Sequence, residues 1–174
     1  MKALAAVLAL SLPLSLPATA LAQAPSDPQI AGIVVTANQI DVDAGKLAKS
    51  KSKNKEVQQF AQQMITDHTA VNKQAGALVK KLGVKPADSD TSKSLKQGAR
   101  ENMANLKKLK GAAFDKAYVD HEVAYHDAVL GAIDKVLIPN AQNAELKGLI
   151  EKVRPAIAAH LDHARHLQET LAKK

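Results

Sequence analysis

Five side chains able to hold a proton or a cation fall on the apolar faces of helical repeats: Asp41, His68, Glu122, His126 and His160. His68 is the most telling. Around it Val57, Phe60, Ala61, Met64, Ile65, Val71, Ala75, Leu78, Val79 and Leu82 recur at three-and-four spacing, and His68 lies near the centre of that stripe. At ~100° per residue it points into whatever the helix is buried against. Glu122 and His126 stand at i and i+4, so both can approach one point. An imidazole or carboxylate in an apolar core needs a partner, and a divalent metal ion is one. Metal ligation by Asp41, His68, Glu122, His126 and His160 is therefore one expectation, with a divalent metal as the only cofactor the residues suggest. The other, which the sequence favours, is a hydrogen-bonded core in which the three histidines satisfy one another and Asp41 or Tyr118 without an ion.

The Glu-x-x-His repeats of a di-iron centre are absent, which argues against a full ferroxidase site. Counted from the connecting turns, Asp41 and His68 differ in depth by about four residues, or ~6 Å. Glu122 differs from His160 by roughly two residues and His126 from it by about six, so the five need not share one layer. His121, His163 and His166 lie off the stripe centres. His160, His163 and His166 spiral away from one face and make a poor mononuclear set. No nucleophile elbow, phosphate loop, cysteine pair or triad is visible, and no catalytic residue is assigned.

Helices must position these groups. The chain has 174 residues, enough for one domain, and only 2% aromatics, with abundant Ala, Leu, Lys and Gln. A first helix is expected from about Pro28 to Lys49, capped by Ser26 or Asp27, with Asp41 inside its stripe. Ser50–Asn54 is a short turn into a second helix, Lys55 to Leu82, which stops at Gly83. A thinner helix, about Ser92 to Leu109, reads as a crossover. A third strong helix runs from about Ala113 to Val136, and Pro139-Asn140 turns into a fourth, Asn143 to Ala172, kinked at Pro155. Two antiparallel hairpins joined by a crossover with a short extra helix predict an all-α, ferritin-like four-helix bundle.

The N-terminus predicts export. Met1-Lys2, an apolar run from Ala3 and an Ala-x-Ala exit read as a signal peptide over 1–22, with Ala24 as the alternative cleavage point. Residues 23–27 read as a flexible linker and 28–174 as the bundle domain. No further segment approaches the ~20 apolar residues of a membrane span. Without cysteine the chain can hold neither a lipid anchor on that residue nor a disulfide, so its stability rests on the core. The net charge of +7 reads chiefly as solubility. The lysines at 46, 49, 51, 53 and 55 also suit weak association with anionic envelope polymers. No nucleic-acid partner is expected.

Several residues carry a resemblance: Gly45-Lys46-Leu47-Ala48, Phe60-Ala61 with Met64 and Asp67-His68, Phe114-Asp115 with Tyr118 and His126, and Pro155 followed by His160-Leu161. From Ala31 to Leu171 the chain resembles a bacterial family of exported ferritin-like bundles, a domain of unknown function often called "predicted outer membrane protein". The resemblance implies a helical bundle in the periplasm or envelope and His68, His126 and His160 as inward histidines. The family more often has Glu where this chain has Asp41, and nothing in the sequence fits a membrane barrel. The leading expectation is a non-enzymatic envelope protein that binds or buffers something under stress. The alternatives are a ferritin-like metal-binding protein and a peripheral binder of anionic polymers.

Overall fold

A computed structural model describes residues 24–173; the expected signal peptide lies outside the described residues. Every regular element among the described residues is helical. The helices are α1 (Asp27–Lys51), α2 (Lys55–Lys81), α3 (Asp90–Lys108), α4 (Gly111–Ala132) and α5 (Ala144–Ala172). α1 packs chiefly against α2, and α4 against α5; α2 also meets α5, α1 meets α4, and α3 lies across α1 and α4.

Local chemistry sets the boundaries. The backbone N–H of Ser26, the residue before α1, donates to Gln29 Oε1 at 3.0 Å, satisfying a donor at the helix start. Asn54 Oδ1 accepts from the N–H of Glu56 at 2.9 Å, and Asn143 Oδ1 accepts from those of Glu145 and Leu146, both at 3.0 Å. Asp27, expected in the linker, is the first residue of α1. Its carboxylate accepts from the backbone N–H groups of Gln142 and Asn143, each at 2.9 Å, and so ties the start of α1 to the start of α5.

The turn before α5 falls later than expected. α4 runs into a π-helical turn, Ile133–Leu137, and stays helical to Asn140. Pro139 has no N–H to give the ladder and its ring crowds the preceding turn, so the backbone widens and Ile138 N–H bonds to Ile133 O. The wider turn aligns Leu137 with Ile133 on the buried face and turns Val136, expected inside, to 37% exposure. Pro155 sits within a continuous α5 on its exposed face, where water can reach the carbonyl left without a donor.

The core divides in two. Around the α1–α2 turn, Val57, Phe60, Met64, Leu106, Phe114 and Tyr118 form one cluster. Towards the α4–α5 turn, Ile30, Ile33, Ile133, Leu137, Ile150 and Ile157 form the other. Asp41, His68, Glu122, His126 and His160 are all buried and belong to neither cluster. Val71, Leu78 and Val79 are only half-buried, so the inward stripe of α2 weakens beyond His68.

Of the five basic residues near the first turn, three have partners. Lys51 Nζ donates to the carbonyls of Leu106 at 2.8 Å and Lys107 at 2.6 Å, closing the C-terminal end of α3. Lys49 bonds to Gln62, and Lys46 stands 4.0 Å from Asp43.

Candidate metal centre

All five expected residues come together. One ligand atom from each of His68, His126 and His160 lies within 4.8 Å of the other two, and the same holds for Asp41, Glu122 and His126. The three rings stand 5.2–5.6 Å apart, centroid to centroid. His126 belongs to both triplets and stands between them, with its Nδ1 3.5 Å from Glu122 Oε2.

The convergence corrects the expected spread in depth. Side chains tilt toward the N-terminus of their own helix. Asp41 lies a few residues nearer the first turn than His68 but tilts away from it, whereas His68 tilts back toward it, and the two meet with Asp41 Oδ2 3.5 Å from His68 Nε2. On the other pair the true turn is near Gln142, which places His160 at a level between Glu122 and His126.

The histidines do not satisfy one another. His68 Nδ1 lies 2.7 Å from Asn38 Oδ1, and Asn38 Nδ2 donates to Val34 O at 2.7 Å. The second bond fixes the amide so that its oxygen faces the ring, which makes Nδ1 the protonated nitrogen of His68. His126 Nδ1 donates to the carbonyl of Glu122 at 2.9 Å. His160 Nε2 donates to Asp67 Oδ2 at 2.8 Å. Each ring therefore spends its N–H on a partner behind it and presents a bare nitrogen: His68 Nε2, His126 Nε2 and His160 Nδ1. These three buried atoms have no hydrogen-bond partner, whereas the Glu122 carboxyl faces that of Asp41 and the Tyr118 hydroxyl that was expected to serve the histidines. An imidazole anchored through one nitrogen on a carbonyl or carboxylate, with the other free, is how protein histidines are oriented toward metal ions.

Electrostatics favours the same occupant. Burial, reinforced by the neighbouring histidines, lowers the His68 pKa from 6.5 to about 3. Burial lowers that of His126 to about 4. Both rings are thus neutral and ready as ligands near pH 7. Burial pushes the carboxyl pKa of Asp41 well up, and burial with the facing Asp41 does the same for Glu122. Two carboxylates in an apolar layer cannot both ionise unaided, but a divalent cation held among the imidazoles offsets both charges.

Two contributors were not among the expected site residues. Asn38 is buried three residues before Asp41 on the same face, and polar residues at that spacing signal a polar patch. Asp67, half-exposed beside His68 in sequence, serves His160 on the facing helix, a pairing that only the tertiary fold reveals. The other histidines stay outside the centre. His121 stacks on Tyr125 with centroids 5.5 Å apart, His163 bonds to Gln63 at 3.1 Å, and His166 is exposed.

No curated protein and no solved structure matches the chain. A family does, over residues 13–167, a span that includes all five inward residues and both Asn38 and Asp67. The chain belongs to the family described as a domain of unknown function, DUF4142.

Proposed function

We propose that this chain is an exported, non-enzymatic bundle of ferritin-like type that binds one divalent transition-metal ion and so buffers that metal in the cell envelope. The reading rests on one observation: three buried imidazole nitrogens, each anchored from behind, converge without partners. Asp41, at 3.5 Å from His68 Nε2, supplies the fourth ligand, and Glu122 supplies the second balancing charge. Three nitrogens and a carboxylate suit iron, zinc, copper or nickel better than magnesium or calcium. The helical hairpins and the crossover through α3 support the ferritin-like reading, although the ligand set differs from a di-iron centre.

Titration of metal-free protein with Zn(II) and Fe(II), the latter anaerobically, tests this. One equivalent should bind and raise the melting temperature by mass action. His126→Leu should lose that response, and His166→Leu should keep it. An equal response in the two variants assigns binding to surface histidines and ends the proposal.

A further inference from the structure

The end of the bundle that holds the α1–α2 turn also holds the end of α3 and the start of α4. Val57, Leu106 and Phe114, from the first turns of α2 and α4 and the last turn of α3, belong to one core cluster. Lys51 fastens these elements together. Its Nζ donates to the carbonyls of Leu106 and Lys107 and stands 5.2 Å from the centroid of the Phe114 ring. Two stretches far apart in sequence, 52–56 and 107–113, are thereby brought to one face.

That face is cationic. Lys53, Lys55, Lys107, Lys108 and Lys110 are all exposed, and none is held in an ion pair or side-chain hydrogen bond among the described residues. Against these lysines the two stretches set a single acidic residue, Glu56. Like charges gathered on one face repel one another, a cost that an anionic partner removes. Amid the lysines, Gly111, Ala112 and Ala113 are exposed and Leu109 is half-buried, so the tip is small and apolar. The fold thus redraws the basic cluster read from the sequence: Lys46, Lys49 and Lys51 have partners, and Lys107, Lys108 and Lys110 take their place.

We propose that this end of the bundle docks on the surface of an anionic phospholipid bilayer. The lysines come from three neighbouring helix ends, each helix ~10 Å across, so their charge is spread over a face that matches a plane of headgroups better than a single phosphate. Each lysine held near such a surface strengthens binding by about fivefold. The apolar tip between them enters the interfacial region, which a soluble polyanion does not offer. Contact is peripheral, since no helix among the described residues is long and apolar enough to cross a membrane. Docking needs neither the metal ion nor its ligands and stands apart from the metal proposal.

Co-sedimentation of the full chain with vesicles of phosphatidylcholine and phosphatidylglycerol in equal parts, and with vesicles of phosphatidylcholine alone, tests the docking in ~0.1 M salt. The ratio of the two partition coefficients cancels any contribution from the apolar run at Ala3–Leu10, and it should exceed about tenfold. Lys53→Gln, Lys108→Gln and Lys110→Gln combined should lower that ratio by about tenfold or more. Lys73→Gln, Lys80→Gln and Lys85→Gln combined make the same change in net charge toward the far end of α2, a helix of 27 residues and so ~40 Å long. Screening acts over ~10 Å, so this second triple should lower the ratio by less than about twofold. The chain has no cysteine, so a fluorophore on Ala112→Cys or Ala77→Cys reports a single position. A lipid-borne quencher in anionic vesicles should quench the first and spare the second, and these labelled proteins decide should a triple variant not fold. A ratio near one in wild type, equal losses in the two triples, or equal quenching at both labels overturns the proposal. Binding of soluble polyphosphate without binding of vesicles overturns it as well and assigns the lysines to a soluble polyanion.

Discussion

His160 and Asp67 are joined across α5 and α2 by a 2.8 Å hydrogen bond in which the ring Nε2–H donates to a carboxylate that is itself 41% exposed. The bond connects solvent to the buried centre through a single imidazole. It fixes which nitrogen of His160 faces inward.

Removing this anchor should therefore cost metal affinity more than stability. Asp67→Ala is expected to weaken Zn(II) binding by about 10- to 100-fold, the usual effect of deleting such a partner. The folding free energy should fall by about 1 kcal/mol, since the carboxylate is half in water. Asp67→Asn, whose amide oxygen can still accept from Nε2, should recover most of the affinity. Competition with a chromophoric chelator reads the first quantity and urea unfolding the second. An unchanged affinity in Asp67→Ala means that His160 needs no anchor to bind metal, or binds none.

His68 separates the site from the packing around it. His68→Ala leaves Asn38 Oδ1 without its donor and opens space in the polar layer, for a loss of about 1–3 kcal/mol. His68→Leu restores the volume and removes a buried imidazole whose inner nitrogen had no partner, so it should be the more stable variant. Metal should stabilise neither. If His68→Leu is as unstable as His68→Ala in chemical denaturation, the ring contributes through bonds other than those to Asn38 and the centre.

How much of this was legible in the sequence depends on range. The stripe periodicity located the helices to within a few residues, because burial on one face is a local pattern. It also found all five inward polar residues. The π-helical turn was not legible: Pro139 was visible, but whether a proline ends a helix or widens its last turns is decided by packing around Leu137. The layering of the five residues was missed for a related reason, since depth depends on where a turn truly lies and on the opposed tilt of side chains in antiparallel helices. Most instructive is the hydrogen-bonded core that the sequence favoured. Composition could not say that Asn38, the Glu122 carbonyl and Asp67 occupy the outer ring nitrogens and leave the inner ones bare.

Gly32 marks where the chain after α2 crosses α1. Ala87 N–H donates to Pro28 O at 2.8 Å there, and a Cβ on Gly32 would lie 2.1 Å from Ala87 O, far inside contact distance. The obstacle is backbone and cannot rotate away. Gly32→Ala should therefore destabilise the protein by about 1–3 kcal/mol despite the higher helix propensity of alanine. At Gly76, where a Cβ meets nothing within 4 Å, the same change should stabilise by about 0.5–1 kcal/mol. Thermal melts of the two variants check the contrast, and similar melting temperatures would contradict the close crossing.

Within the metal-free centre, pH dependence follows from two opposed pairs. His68 and His126 have folded pKa values near 3 and 4 against 6.5 when unfolded. Below pH 6.5 the unfolded chain takes up two protons that the native state refuses. Their contribution is complete above pH 6.5 and is lost, at ~1.4 kcal/mol per unit for each ring, as the pH falls toward 4. Asp41 and Glu122 act in reverse, because their folded pKa values lie above the unfolded ones. Their contribution is complete at low pH and is lost as the pH rises past the unfolded carboxyl values toward the folded ones. In wild type the two slopes oppose each other between about pH 4.5 and 6.5. Replacing both carboxyls, Asp41→Asn with Glu122→Gln, leaves only the histidines. That variant should gain stability steeply from pH 4.5 to 6.5 and then level off. Urea unfolding at half-unit steps gives both curves, and parallel profiles would show that the carboxyl pair is already ionised in the native state. Bound Zn(II) displaces the carboxyl protons, so its apparent affinity should rise with pH.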